Sequence, residues 1–139
     1  MATVHYLADT SVFARLTKPA VAAAFSPLAV GREVALSSPV VFELGYAARS
    51  PNDYRDIADR LLSFPSVPTT DADHKRALEV QATLASRSQH RAVSLVDALV
   101  AATAEARDLT VLHYDADFEL VAEITGQDHK WIVTRGSAD

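Results

Sequence analysis

The sequence predicts a single α/β domain, a central and mostly parallel sheet of four to five strands with helices on both faces. Short apolar runs alternate with longer helix-periodic stretches along the chain, the order that gives a parallel sheet under helical cover. Alanine is frequent and glycine scarce, four in all, which favours high helix content. The 139 residues, 49% of them hydrophobic, are enough for one substantial core.

Each element has its own signal. Residues 3–8 form an apolar run with Val4, Tyr6 and Leu7 that stops at Asp9-Thr10-Ser11, a buried strand entering a helix cap. Residues 11–17 turn helical, and Pro19 starts a second helix through residue 30. Residues 34–36 make a second strand. Ser37-Ser38-Pro39 supplies a cap and a first-turn proline for a helix over 40–49. Pro51-Asn52-Asp53 repeats that logic for 54–64, where Ile57, Leu61, Leu62 and Phe64 share a face. Residues 66–70 offer a third short strand and 71–87 a long amphipathic helix. The polar stretch 86–93, with Arg87, His90 and Arg91, reads as a loop. Ser94 then caps an almost wholly apolar helix to residue 107, followed by a strand over 110–114, a helix over 116–125 and a last strand over 130–134.

What is missing excludes several chemistries. With no cysteine there is no disulfide, thiol nucleophile or thiolate-bound zinc. Gly31, Gly45, Gly126 and Gly136 are too scattered for a G-x-G-x-x-G turn or a P-loop. The five histidines show no H-x-x-x-H spacing, and no serine sits in a G-x-S-x-G elbow. The longest uncharged helical stretch, 19–31, contains two prolines and falls short of the roughly 18 to 20 residues of a membrane span. No Lys or Arg occurs before residue 15, unlike a secretory signal, so a cytoplasmic protein with no membrane partner is expected. Thirteen Lys and Arg against eighteen Asp and Glu give a formal charge of −5, without the basic stripe of most nucleic-acid binders. Taken alone that balance argues against nucleic acid, but it says nothing of where the carboxylates sit.

Most acids have a base close by in sequence and read as solvated helix faces. Three stand alone: Asp9 is the only charge in residues 1–14, Glu43 the only one in 34–48, and Asp97 the only one in 92–104. An isolated carboxylate in a buried segment must be neutralised, paired or bound to a cation. Each also has a plain structural use. Asp9 fits an N-cap, Asp97 completes a capping box with Ser94, Glu43 fits an exposed helix end, and Asp115 and Asp117 suit the positive end of a helix. Asp71-Ala72-Asp73 shows how ordinary such a triplet is, since it opens a charged helix and carries no chemistry. Position in the fold changes the balance: Asp9 and Asp115 both follow strands, and ligands of open parallel sheets bind beyond the carboxyl ends of strands where strand order reverses. Several carboxylates meeting there cannot all ionise without a counter-charge, and a divalent metal supplies it.

Four segments carry a recognisable pattern: Asp9-Thr10-Ser11-Val12, Glu43-Leu44, the run from Asp97 through Ala98 and Leu99 to Thr103 and Ala104, and His113-Tyr114-Asp115-Ala116-Asp117-Phe118. Together, in this order and spacing, they resemble the PIN-domain ribonucleases, and more narrowly the VapC-type toxins of prokaryotic toxin–antitoxin pairs. The similarity runs from about residue 3 to 135, so residues 1–135 are expected to form the PIN domain and 136–139 a short C-terminal tail. The resemblance implies a strand order of 3-2-1-4-5. It implies that Asp9, Glu43, Asp97 and Asp115 hold one or two Mg2+ or Mn2+ ions, that Asp117 is a further metal-site acid, and that Ser11, or Thr10, stands beside the activated water. The product ends would be a 5′-phosphate and a 3′-hydroxyl on an RNA, with tRNA or rRNA as the expected substrate class. A homodimer is implied, as is a cognate antitoxin that blocks the acidic site, often through an arginine. Lys18, Arg49, Arg87 and Arg91 are candidate RNA-phosphate contacts. One departure is His113-Tyr114, where many relatives carry a threonine slightly earlier; His113 reads as a strand side chain packed beneath a helix.

Two other readings compete. A catalytically silent PIN-like module would keep the acids for folding or partner binding, although it has no reason to keep the whole set unpaired. A phosphotransfer domain of the receiver or haloacid-dehalogenase type shares the sheet and the acidic crevice, but needs an acid where Ser11 stands or a lysine after the last strand, and Lys130 precedes that strand.

Overall fold

The computed structural model describes residues 3–139. The chain runs β1 (Tyr6–Ala8), α1 (Thr10–Phe13), α2 (Pro19–Val30), β2 (Val34–Ser37), α3 (Ser38–Tyr46), α4 (Pro51–Leu61), β3 (Ser66–Val67), α5 (Asp71–Ser86), α6 (Leu95–Ala106), β4 (Thr110–His113), α7 (Asp117–Thr125) and β5 (His129–Trp131). All pairings are parallel, and the sheet order is β3-β2-β1-β4-β5. Sequence and structure therefore agree on the α/β class, the parallel sheet and its order.

The central strands explain why no alternation was visible in them. Leu7, Ala8, Val34, Ala35, Val111 and Leu112 are all fully buried, so successive side chains on both faces of the sheet are covered. β1 is the topological pivot. The chain steps outward from β1 to β2 and β3, crosses back through α5 and α6, and lays β4 on the other side of β1 with Tyr6 opposite Thr110 and Ala8 opposite Leu112. The carboxyl ends of β1 and β4 thus open side by side, at the place where strand order reverses.

Several boundaries move for local reasons. β3 ends at Val67 instead of running to residue 70, because Pro68 has no amide hydrogen to continue a ladder. α1 stops at Phe13, after which the amides of Arg15, Leu16 and Lys18 bond carbonyls three residues back and Lys18 turns extended ahead of Pro19. Ser50, not the Pro51-Asn52-Asp53 segment, caps α4 by accepting the Asp53 N–H at 3.0 Å. Ser37 holds the N-cap place of α3 without a side-chain bond, because Pro39 removes one of the amides it could accept; its Oγ is buried without a partner. β5 starts one residue early, pairing His129 with Val111, and ends at Trp131.

Helix pair α5 and α6 is fastened to the sheet edge by one buried ion pair. Thr70 and Asp73 form a full capping box, and Arg107 at the end of α6 donates to Asp73 Oδ2 at 3.1 Å, to the Thr103 carbonyl at 2.8 Å and to the Pro68 carbonyl at 3.0 Å. Burial pushes the Asp73 carboxyl up, but the bonds from Thr70 and Arg107 outweigh it and hold the group below the ordinary carboxylate range. Gly136, Ala138 and Asp139 gather on the Tyr114 hydroxyl, which accepts two backbone N–H groups and donates to the Asp139 carboxylate. No helix among the described residues is long and apolar enough to cross a membrane.

Candidate metal centre

Asp9 directly follows β1. Its extended backbone places it as the N-cap of α1, where Oδ2 accepts the Ser11 N–H at 3.0 Å. The structural and the functional use of Asp9 are one conformation: Oδ2 caps the helix while Oδ1 is buried with no partner. Asp97 lies in the first turn of α6. Ser94 Oγ accepts the Asp97 N–H at 3.1 Å, but the capping box is only half formed, because the Ser94 N–H points at Asp117 Oδ2 at 3.4 Å. The Asp97 carboxylate is thereby left for the crevice. Asp115 occupies the turn between β4 and α7, where Oδ1 accepts the Asp117 N–H at 2.9 Å.

One carboxylate oxygen from each of Asp9, Asp97 and Asp115 lies within 4.8 Å of the others. Among the described residues no base forms a salt bridge with any of the three, or with Asp117. The electrostatic consequence is large. Burial, then the charge of Asp9, a hydrogen bond with Asp117 and the charge of Asp115 push the Asp97 carboxyl up to about 10. Burial also raises Asp9, against the bonds from Ser11 that lower it, with Asp115 adding to the rise. Without a cation the cluster keeps protons that exposed carboxyls would release. Its donor set is all carboxylate oxygen, which suits a hard divalent ion, and the orphaned Oδ1 of Asp9 is the atom most in need of one.

The supporting shell was only partly legible in sequence. Ser11 does double duty, holding Asp9 by its amide while its Oγ accepts the Tyr114 N–H at 2.9 Å, which ties α1 to the end of β4. Thr10 Oγ1 is buried without a partner. His113, fully buried, does pack beneath a helix, with its ring 4.9 Å from Phe118, but it also acts on the site. Its Nδ1 accepts the Asp115 N–H at 3.0 Å, so Nε2 carries the proton and donates to His129 Nδ1 at 2.9 Å. Burial, and then the neighbouring His129, hold His113 down to about 3 and keep it neutral. The sequence carries no local signal for this role.

Two groups of candidates lie elsewhere. Glu43, half-buried on α3, is not drawn into the trio; it lines a shallow hollow with Pro39, Phe42, Tyr46 and Val96, facing the α6 side of the helix. Lys18 donates to the Asp139 carbonyl, Arg49 lies exposed ahead of α4 on the wall of a groove shared with Thr10 and Leu44, Arg87 ends α5 and Arg91 is in the following loop. None of these four bases lines the cleft of about 420 Å3 that adjoins Asp115, whose basic residues are Arg15 and Arg135.

Comparison with known proteins places these features in a family. A model of the PIN domain matches residues 6–124. Ribonuclease VapC51 of Mycobacterium tuberculosis is 45% identical over 136 residues, covering 98% of both chains. Ribonuclease VapC21 of the same species is 37% identical over 137 residues, covering 98% of this chain and 99% of that one. A DNA-bound VapBC from Salmonella typhimurium shares the fold at a TM-score of 0.76 and 19% identity, over 94% of this chain and 100% of the other. With Asp9, Asp97 and Asp115 gathered at the switch point of a five-stranded parallel sheet, the chain belongs to the PIN-domain family, among the VapC ribonucleases.

Proposed function

We propose that the chain is a metal-dependent endoribonuclease, the cytoplasmic toxin of a toxin–antitoxin pair, with residues 1–135 as its catalytic domain. The observation that carries this is the carboxylate trio within 4.8 Å, Asp9 and Asp97 buried and Asp115 half-buried, without a base and with Asp9 Oδ1 unpartnered. The names and the near-complete coverage of the VapC relatives support the RNA substrate, with tRNA and rRNA as the substrates to test first.

Asp9, Asp97 and Asp115 would hold Mg2+ or Mn2+, one ion or two, with Asp117 beside Asp97 as a further acid. When bound, such an ion lowers the pKa of a coordinated water and offsets charge on the phosphate under attack. The protein's own share is alignment. Ser11 fixes the Asp9 carboxylate, Ser94 fixes the start of α6, and His113 fixes the Asp115 backbone. Glu43, on α3 and outside the 4.8 Å grouping, is read as a further acid of the metal site.

The antitoxin assignment draws support from solved VapBC complexes of the same fold and from a mainly apolar groove beside Asp9. That groove, about 610 Å3, is bounded by Thr10, Phe13, Leu44, Ala47, Ile57 and Leu61, room for a peptide whose arginine could reach the acids. Exposed Phe42 and Tyr46 on α3 and Leu95 at the start of α6 support a homodimer through that side.

RNA incubated with purified protein tests the reading. Cleavage should require Mg2+ or Mn2+, leave 5′-phosphate and 3′-hydroxyl ends, and fall at least about a hundredfold in Asp9→Asn or Asp97→Asn, with a smaller loss in Glu43→Gln. Cleavage that persists in EDTA, or ends in a 2′,3′-cyclic phosphate, overturns it.

A further inference from the structure

The cleft next to the acid trio holds an arrangement the metal site does not use. Arg15 is half-buried with its guanidinium 4.6 Å from the centre of the Tyr114 ring, and its one hydrogen bond is to the Ser11 carbonyl at 3.3 Å. Among the described residues no carboxylate forms a salt bridge with it. Asp115 and Asp139 also line the cleft, but neither is paired with Arg15, which leaves its guanidinium able to take an anion. Across the same cleft Arg135 lies 5.4 Å over the Trp131 ring. Glu119 orients this second pair, accepting Trp131 Nε1–H at 2.9 Å and bridging Arg135 at 3.0 Å, yet Arg135 stays well exposed and keeps other N–H groups free.

We propose that this cleft binds the RNA strand next to the bond being cut, with Arg15 and Arg135 on a backbone phosphate; this rests on the ribonuclease reading above. Two features point to RNA. The cleft is continuous with Asp115 and Ser11, so an occupant continues directly into the acid trio. Planar guanidinium groups already stacked on aromatic rings lose little freedom when they meet a phosphate. Asp139, whose carboxylate accepts from the Tyr114 hydroxyl, limits the cleft on the far side.

The test compares wild type with Arg15→Gln, Arg135→Gln and the pair, using Arg55→Gln on α4, which leads into the opposite edge strand β3, as a control for charge alone. The substrate is a labelled single-stranded RNA that the wild type cleaves. Each cleft variant should raise KM by about tenfold with kcat changed by less than about threefold. The salt dependence of binding should flatten by about 0.7 in slope for each arginine lost. The same RNA bound to Asp97→Asn, read by fluorescence anisotropy, should show the same weakening without turnover, and Arg135→Gln, at an exposed position, keeps the test alive if Arg15→Gln fails to fold. Unchanged KM and salt slope in folded cleft variants, or equal losses in Arg55→Gln, overturn the subsite while leaving the nuclease reading intact. If the wild type neither cleaves nor binds RNA, the nuclease reading falls and takes the subsite with it. If the cleft variants bind RNA normally but lose affinity for an acidic peptide, the cleft is a peptide site and the proposal fails.

Discussion

His113 shows how much a single buried side chain can contribute to a site it never touches with substrate. Its Nδ1 is the acceptor for the Asp115 N–H, and the ring is held by Phe118, His129 and Trp131. In His113→Phe the ring packing is largely preserved but the Asp115 amide loses its partner. An unsatisfied buried donor costs about 1 to 3 kcal/mol, so urea unfolding should show a loss of that size. Isothermal titration should also show weaker Mn2+ binding, because the turn that carries Asp115 is no longer fixed. A His113→Phe protein that binds Mn2+ as the wild type does would mean that Asp117 alone holds the turn. The sequence showed Asp9, Glu43 and Asp97 because each stood isolated in an apolar segment, and Asp115 because it follows a strand. It did not show His113 as a positioning residue, or Arg15 as a cleft residue, because nothing local distinguishes a histidine that accepts from an amide, or an arginine that stacks on a distant tyrosine.

At the level of elements, the α5 and α6 pair depends on Arg107, whose three bonds reach Asp73, Thr103 and Pro68. Removing it leaves the buried Asp73 carboxylate without its counter-charge, held only by the Thr70 N–H. Arg107→Met should therefore destabilise the protein by about 3 kcal/mol, measured by the urea midpoint at constant m-value. Asp73→Asn with Arg107→Met together should recover part of the loss, the mark of a shared interaction. Asp71-Ala72-Asp73 and Asp115-Ala116-Asp117 look alike in sequence and do opposite things. Asp73 closes a capping box and meets an arginine, while Asp115 sits where two strands open and meets two more acids. Local pattern could find the elements and their caps. It could not tell these two triplets apart, and strand order came from the resemblance rather than from any local signal.

Across the whole molecule, the charge of −5 has a location. Setting aside Asp9, Glu43, Asp97, Asp115 and Asp117 leaves thirteen acids against thirteen bases, so the remainder of the chain is formally neutral. The composition therefore misleads about nucleic acid, since its excess acidity belongs to the candidate metal centre and its edge. The same excess makes stability depend on pH. Asp97 titrates near 10 when folded but near 3.8 when exposed, so the folded state holds a proton that the unfolded state releases between those values. Stability contributed in this way is complete below the exposed value and is lost as pH rises toward the folded one. His113 acts in the opposite sense below its exposed value of 6.5, being neutral when folded and charged when unfolded. The clean window is therefore about pH 7 to 9. In EDTA the melting temperature should fall across that window, and added Mn2+ should raise it by more at the upper end, where fewer protons must be displaced. A metal-free melting temperature that rises over the same window contradicts this account.

The pairing of β1 with β4 joins Tyr6 to Thr110 and thereby brings Asp9 to Asp97 and Asp115. Closing a loop of about a hundred residues is among the slower steps available to a parallel sheet. During synthesis, a nascent chain that has not yet delivered β4 from the ribosome carries Asp9 as a helix cap and nothing more. A chain that stops before β4 therefore lacks the three-acid site altogether.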